Sequence, residues 1–113
     1  MAQTSIIRLD GQTIALSVVA TSHAAVNVVS STNDIVNFVS CLNTGAVPVA
    51  IRFSQAGDAA TIPVDGTPGD FLLPAAMNFP VIISMPQRNP KVTAIGTAAG
   101  PSLVYITPVG DQS

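Results

Sequence analysis

No window of this chain suits a helix. Val, Ile and Thr, whose branched Cβ crowds a helical turn and fits a pleated strand, fill 34 of the 113 positions, while Leu fills six and Glu none. Nine prolines and eight glycines cut the chain into short pieces. What remains is a chain that can bury its apolar half only by pairing strands.

Apolar residues alternating with small polar ones, bounded by turn residues, predict strands over residues 6–9, 13–20, 25–29, 35–42, 47–53, 71–73, 81–85, 92–97 and 103–107. Asp10-Gly11 suits a tight hairpin turn between the first two. In the fourth strand Val36, Phe38 and Leu42 share one face and Ile35, Val39 and Cys41 the other, so both faces read as covered. Polar turns are expected at 30–33, 86–90 and 99–100, and Asn43-Thr44-Gly45 turns the fourth strand into the fifth. Phe38, Val49, Ile51 and Phe53 read as inward, with Thr13, Ala15, Ser17, Ala50, Arg52 and Thr93 outward. Residues 54–69 form a long Gly- and Pro-rich loop, and loops of that length serve function or interaction. Strands this short with turns at this spacing predict an all-β, single-domain β-sandwich or jelly roll of about eight antiparallel strands over residues 1–113. An N-terminal arm (1–5) and a C-terminal tail (110–113) flank it.

Charge narrows the function. Only 9% of residues are charged, against a typical quarter, and the net charge is −2. Arg8, Arg52, Arg88 and Lys91 form no basic stripe, which removes the main energy source for binding nucleic acid and for adsorbing to a membrane surface. The apolar run 13–29 is interrupted by Ser17, Thr21, Ser22, His23 and Asn27 and is too polar to span a bilayer. Ile6 and Ile7 precede Arg8 and Asp10, the wrong order for a signal peptide. A single cysteine, Cys41, has no internal disulfide partner, and the chain reads as made in a reducing cytosol.

Chemistry-bearing patterns are few. Cys41 with His23 is the one nucleophile and base pair on offer, and its plainer reading is a small buried hydrophobe and a turn residue. Asp58, Asp65 and Asp70 stand seven and five residues apart, which fits no compact calcium loop, and no Glu is present to chelate. No catalytic residue, cofactor or metal is therefore expected. A sugar platform would fall to Phe71, Phe79 or Tyr105, since there is no Trp, and burial is the commoner use of such rings. Outward strand positions that are small, uncharged and β-prone are a hazard on a free monomer, so identical copies or a larger assembly are expected to cover them.

Val39-Ser40-Cys41-Leu42-Asn43-Thr44-Gly45, then Val47-Pro48-Val49-Ala50-Ile51-Arg52-Phe53, resembles the strand, Asn-Thr-Gly turn and strand of small structural proteins from tailed bacteriophages. The closing Leu103-Val104-Tyr105-Ile106-Thr107-Pro108-Val109-Gly110 is similar to their last strand, with Val109 as a departure, and Ala20-Thr21-Ser22 also fits. The resemblance implies a jelly-roll or sandwich capsid decoration (cement) protein. Such a protein is made in the host cytoplasm and sits on the capsid surface of the virion. Its partners would be the major capsid protein and its own copies, as a dimer or trimer, with no nucleic acid and no membrane. Contact would fall on residues 1–7, 54–69 and 74–80, with Ile6, Ile7, Ile62, Phe71, Met77, Phe79 and Tyr105 as candidate interface residues. The alternative is a tail or fibre component, or a receptor- or carbohydrate-binding module.

Overall fold

The computed structural model describes residues 7–9, 11–28, 38–84, 91–98 and 101–111, with backbone alone at residues 7, 8, 110 and 111. Among them there is no helix, hence none long and apolar enough to cross a membrane. The described residues form nine strands: β1 (Ile7–Leu9), β2 (Ile14–Val18), β3 (Val26–Asn27), β4 (Phe38–Asn43), β5 (Val49–Ser54), β6 (Phe71–Leu73), β7 (Val81–Ser84), β8 (Lys91–Gly96) and β9 (Ser102–Asp111). Ile6, Ile35, Val36, Met85, the turns expected at 30–33, 86–90 and 99–100, and residues 1–5 and 112–113 lie outside the described residues.

All pairings are antiparallel. One sheet runs β1-β9-β4-β7 with β2 also on β9, and the other runs β3-β8-β5-β6. The pairs β2 with β9, β3 with β8, β4 with β7 and β5 with β6 nest inside one another, so eight strands form one long hairpin folded double into two sheets. That nesting is the jelly roll. Between the sheets, Leu16, Val18, Val39, Cys41, Val104 and Ile106 meet Val49, Ile51, Leu73, Val92 and Ala94. Burying each of the larger ones contributes about 1.5–3 kcal/mol.

The pairing corrects two expected hairpins. β1 and β2 do not pair with each other. Both run antiparallel to β9 along the same edge, with Leu9 opposite Val109 and Ile14 opposite Ile106, so the two strands point the same way and form no hairpin, and Asp10 itself lies outside the described residues. The break between them falls opposite Thr107-Pro108, a place where a proline with no N–H to donate is tolerated inside a strand. This is why β9 continues to Asp111, past the expected end at Thr107. β4 and β5 likewise lie in different sheets, and Asn43-Thr44-Gly45 is an arch from one sheet to the other.

Buried polar groups hold that arch. Asn43 Nδ2 donates to Val47 O at 3.0 Å, its Oδ1 accepts from Gly45 N at 3.0 Å, and its backbone O accepts from Met77 N at 2.9 Å. Ser102 Oγ accepts from Val47 N at 3.1 Å and donates to Val47 O at 3.0 Å. Gly45 lies so close to Ser102 that an added Cβ would stand 2.5 Å from its Cα.

Residues 54–69 are tied down along much of their length. Ser54 Oγ accepts from Gly57 N and Asp58 N, Thr93 Oγ1 donates to Asp58 O at 2.7 Å, and Ala60 N donates to Ser22 Oγ at 3.1 Å. Val64 and Thr67 exchange two backbone bonds around Asp65-Gly66, with Gly66 at φ +78°. The segment crosses the outer side of β8 and buries Thr93. Ala50 is also fully buried, between Leu72 and Ile95 on the neighbouring strands, so these two outward positions are covered rather than open.

Two glycines separate crowding from backbone strain. Gly45→Ala forces Ser102 backbone to move and should destabilise by about 3 kcal/mol. Gly66→Ala meets open space and should cost only about 1–2 kcal/mol through its left-handed φ. Urea unfolding of both variants checks the order.

Candidate interaction surface

Geometry first disposes of the reactive pair. Cys41 points into the core from β4, fully buried, and burial pushes its thiol from 9.0 up to about 12, so it stays protonated at neutral pH. His23 belongs to the other sheet's edge, its N donating to Ala94 O at 2.7 Å and its Nδ1 within 2.7 Å of Ala24 O. Among the described residues no three of His, Cys, Asp and Glu form a metal-binding group. The loop aspartates act as staples instead. Asp70 Oδ2 accepts from Thr61 N at 2.7 Å, and Asp58 pairs with Arg52 at 3.5 Å.

The candidate interface residues scatter. Phe71, on edge strand β6, is 53% exposed, and Phe79, just before β7, is 80% exposed. Tyr105 is half-buried on the outer side of the five-stranded sheet, and Ile62 is half-buried in the 54–69 segment. Met77 packs against the core, and its Sδ accepts from Asn43 N at 3.3 Å. For Ile7 the position in β1 alone is described, and Ile6 lies outside the described residues. Phe71 also lines an open groove of about 510 Å³ between the sheet edges, with Ile51, Phe53 and Ile83 as its apolar part.

The register assembles a larger feature. On β9, Val104 and Ile106 point inward, which turns Leu103, Tyr105 and Thr107 outward. Tyr105 lies between Ala15 of β2 and Leu42 of β4, and Leu103 lies beside Ser17. Thr107 stands next to Ser40, which pairs with Ile82 of β7, while Thr13 reaches Thr107 with the two Oγ1 atoms 2.8 Å apart. The last row is Leu9, Val109, Phe38 and Ser84, in which Val109 is fully buried and not part of the open surface. None of these side chains is charged, and half are apolar.

Every charged side chain that is described, namely Arg52, Asp58, Asp65, Asp70 and Lys91, belongs to the other sheet or its 54–70 connection. The described side chains therefore divide by face, while Arg8 in β1 and Asp111 in β9 belong to the five-stranded sheet by backbone position alone. Leu103 and Ile82 remain 44% exposed on the outer side of that sheet, and Leu9 71%.

Sequence reasoning missed most of this surface. Phe38, expected to face inward, is half-buried on the outer side, because Val39 and Cys41 take the core positions of β4. Leu9, Leu42, Ile82 and Leu103 carried the period-two signal, but their common face depends on β9 joining β2 to β4.

The raised thiol gives a pH prediction. A group neutral when protonated, with its folded value above its unfolded one, adds stability in full below about pH 9 and loses it as pH rises toward about 12. The unfolding free energy of the wild type should fall by a few kcal/mol more than that of Cys41→Val across this window. Native Cys41 should also resist a thiol reagent at pH 8 for hours and react at once in denaturant.

No family model, curated protein or solved structure matches this chain.

Proposed function

We propose that the chain is a structural protein of a virus particle, a decoration or cement protein that binds and stabilises an assembled head shell. The observation that carries this reading is the separation of charge: a sheet face of mixed aliphatic, aromatic and hydroxyl side chains, with no charge among its described side chains, on a domain whose described charged side chains lie elsewhere. A face of this kind is a liability on a domain that works alone in water, and an asset on one built into an assembly.

The edges supply a second kind of contact. β6 and β7 each pair with one neighbour only, so each leaves one row of backbone N–H and C=O groups without a strand partner among the described residues. Exposed Phe71, Leu72 and Phe79 accompany them. Apolar side chains beside free strand edges are the materials for adhesion by packing and backbone pairing. A protein that binds only the assembled shell adds its binding free energy directly to the stability of that shell.

Counting copies by mass spectrometry of purified particles tests the reading. Hundreds of copies per head are expected. A few copies at the tail would instead support the fibre or receptor-binding alternative and overturn decoration. Phe79→Asp, at an 80% exposed position, should lower occupancy on the shell at least tenfold while leaving the melting temperature of the free protein unchanged.

A further inference from the structure

We propose that Met77 is an oxidation-sensitive latch: its thioether holds the connection of residues 74–80 onto the arch at Asn43-Thr44-Gly45, and conversion to the sulfoxide by a peroxide releases that connection. The proposal goes beyond the assembly reading and stands without it.

Register creates the need for a latch. β7 last pairs with β4 at Cys41 and Val81, two residues before β4 ends at Asn43. Thr44 N donates to Leu103 O at 3.0 Å on β9, so Asn43, one residue back, turns its own N–H and C=O toward the opposite edge, where β7 no longer runs. Asn43 is fully buried, and a buried backbone group without a partner is costly. Met77 answers both groups. Its N donates to Asn43 O at 2.9 Å, and its Sδ accepts from Asn43 N at 3.3 Å. The thioether stands where a neighbouring strand would have offered a carbonyl, and sulfur is a weak acceptor for that place.

The adjoining residue is held against its local preference. Ala76 lies at φ +51°, in the left-handed region that a residue with a Cβ seldom adopts, while its N donates to Gly45 O at 2.8 Å. Such strain persists only where surrounding contacts over-determine it, and here those contacts are the bonds to Asn43 and Gly45.

Oxidation acts on the sulfur in this set. Its lone pair takes one oxygen of hydrogen peroxide: an S–O bond forms as the O–O bond breaks, and the proton of the transferred oxygen passes to the departing one, which leaves as water. The thioether is oxidised and the peroxide reduced. Met77 is half-buried, so part of the side chain meets solvent while the rest packs against the core. An oxygen added toward Asn43 pushes the sulfur back from its donor, and a side chain that turns to carry the oxygen out to water takes the sulfur away with it. Either movement loosens Met77, and the strain at Ala76 then favours release. Phe79, two residues on and 80% exposed, moves with the freed connection.

Treating the purified chain with millimolar hydrogen peroxide is the test. Peptide mass spectrometry follows the sulfoxide at Met77, while the melting temperature and thermolysin cleavage within residues 71–80 follow the latch. Full conversion should lower the melting temperature by at least about 5 °C. Cleavage should rise at least tenfold. Both changes should track the fraction of Met77 oxidised and reverse with methionine sulfoxide reductase and a thiol reductant. Met77→Gln offers an oxygen acceptor that peroxide leaves alone, and Met77→Leu offers none; both retain Met1, Met85 and Cys41, so peroxide should change neither readout in either variant. Either variant serves if the other does not fold. Three results overturn the proposal: Met77 that stays unoxidised in the folded chain under peroxide that converts it in denaturant, sulfoxide at Met77 with neither readout changed, or equal changes in the variants.

Discussion

Strand β9 is paired along both edges, and the rest of the sandwich hangs on that double pairing. On one side it holds β1 and β2 end to end, and on the other it holds β4 over six consecutive residue pairs. Its inward side chains, Val104 and Ile106, are fully buried, and Ser102 at its start clamps the arch at Val47. Because the outermost pair of the nested hairpin joins residue 14 to residue 106, nearly the whole chain must be gathered before this strand is satisfied. Such topology folds slowly, since loop-closure entropy is lost before the long-range contacts compensate for it.

Few charges are available, and the described ones are largely committed to shaping one connection. Asp70 ties Thr61, Arg52 reaches Asp58, and Asp58 in turn presents its carbonyl to Thr93. The Arg52 to Asp58 pair is exposed and contributes little energy on its own. Its significance is positional, because it keeps charge on the side of the sandwich where residues 54–69 fold across β8. The described side chains of the opposite face are Ser, Thr, Leu, Ala, Val, Ile, Phe and Tyr, uncharged residues most of which make good strands. Low charge content and the absence of charge among the described side chains of this face are therefore one property seen at two levels.

Much of the architecture was legible from local chemistry. Period-two alternation located Val39 and Cys41 on one face of β4, and Val49 and Ile51 on the inner face of β5, because a half-buried strand has to alternate. Pro108 misled, since a proline ordinarily ends an interior strand. Only the break between β1 and β2, opposite it, makes it acceptable. Asp10-Gly11 and Asn43-Thr44-Gly45 have the composition of hairpin turns, but turn chemistry specifies that the chain bends and not which strand it meets next. Asn43 is buried to satisfy Val47 and Gly45, a role no local pattern announces.

By itself the sequence determined that this chain forms strands, where most of them lie, and that its surface must be poor in charge, because side-chain branching, proline and the count of ionisable groups are local properties. The tertiary structure decided the rest. Nesting of the strand pairs placed Leu103, Tyr105, Leu42 and Ile82 on one face and sent residues 54–69 across the other. Which strands become neighbours depends on contacts between residues far apart in the chain, and a surface exists only once those neighbours are chosen.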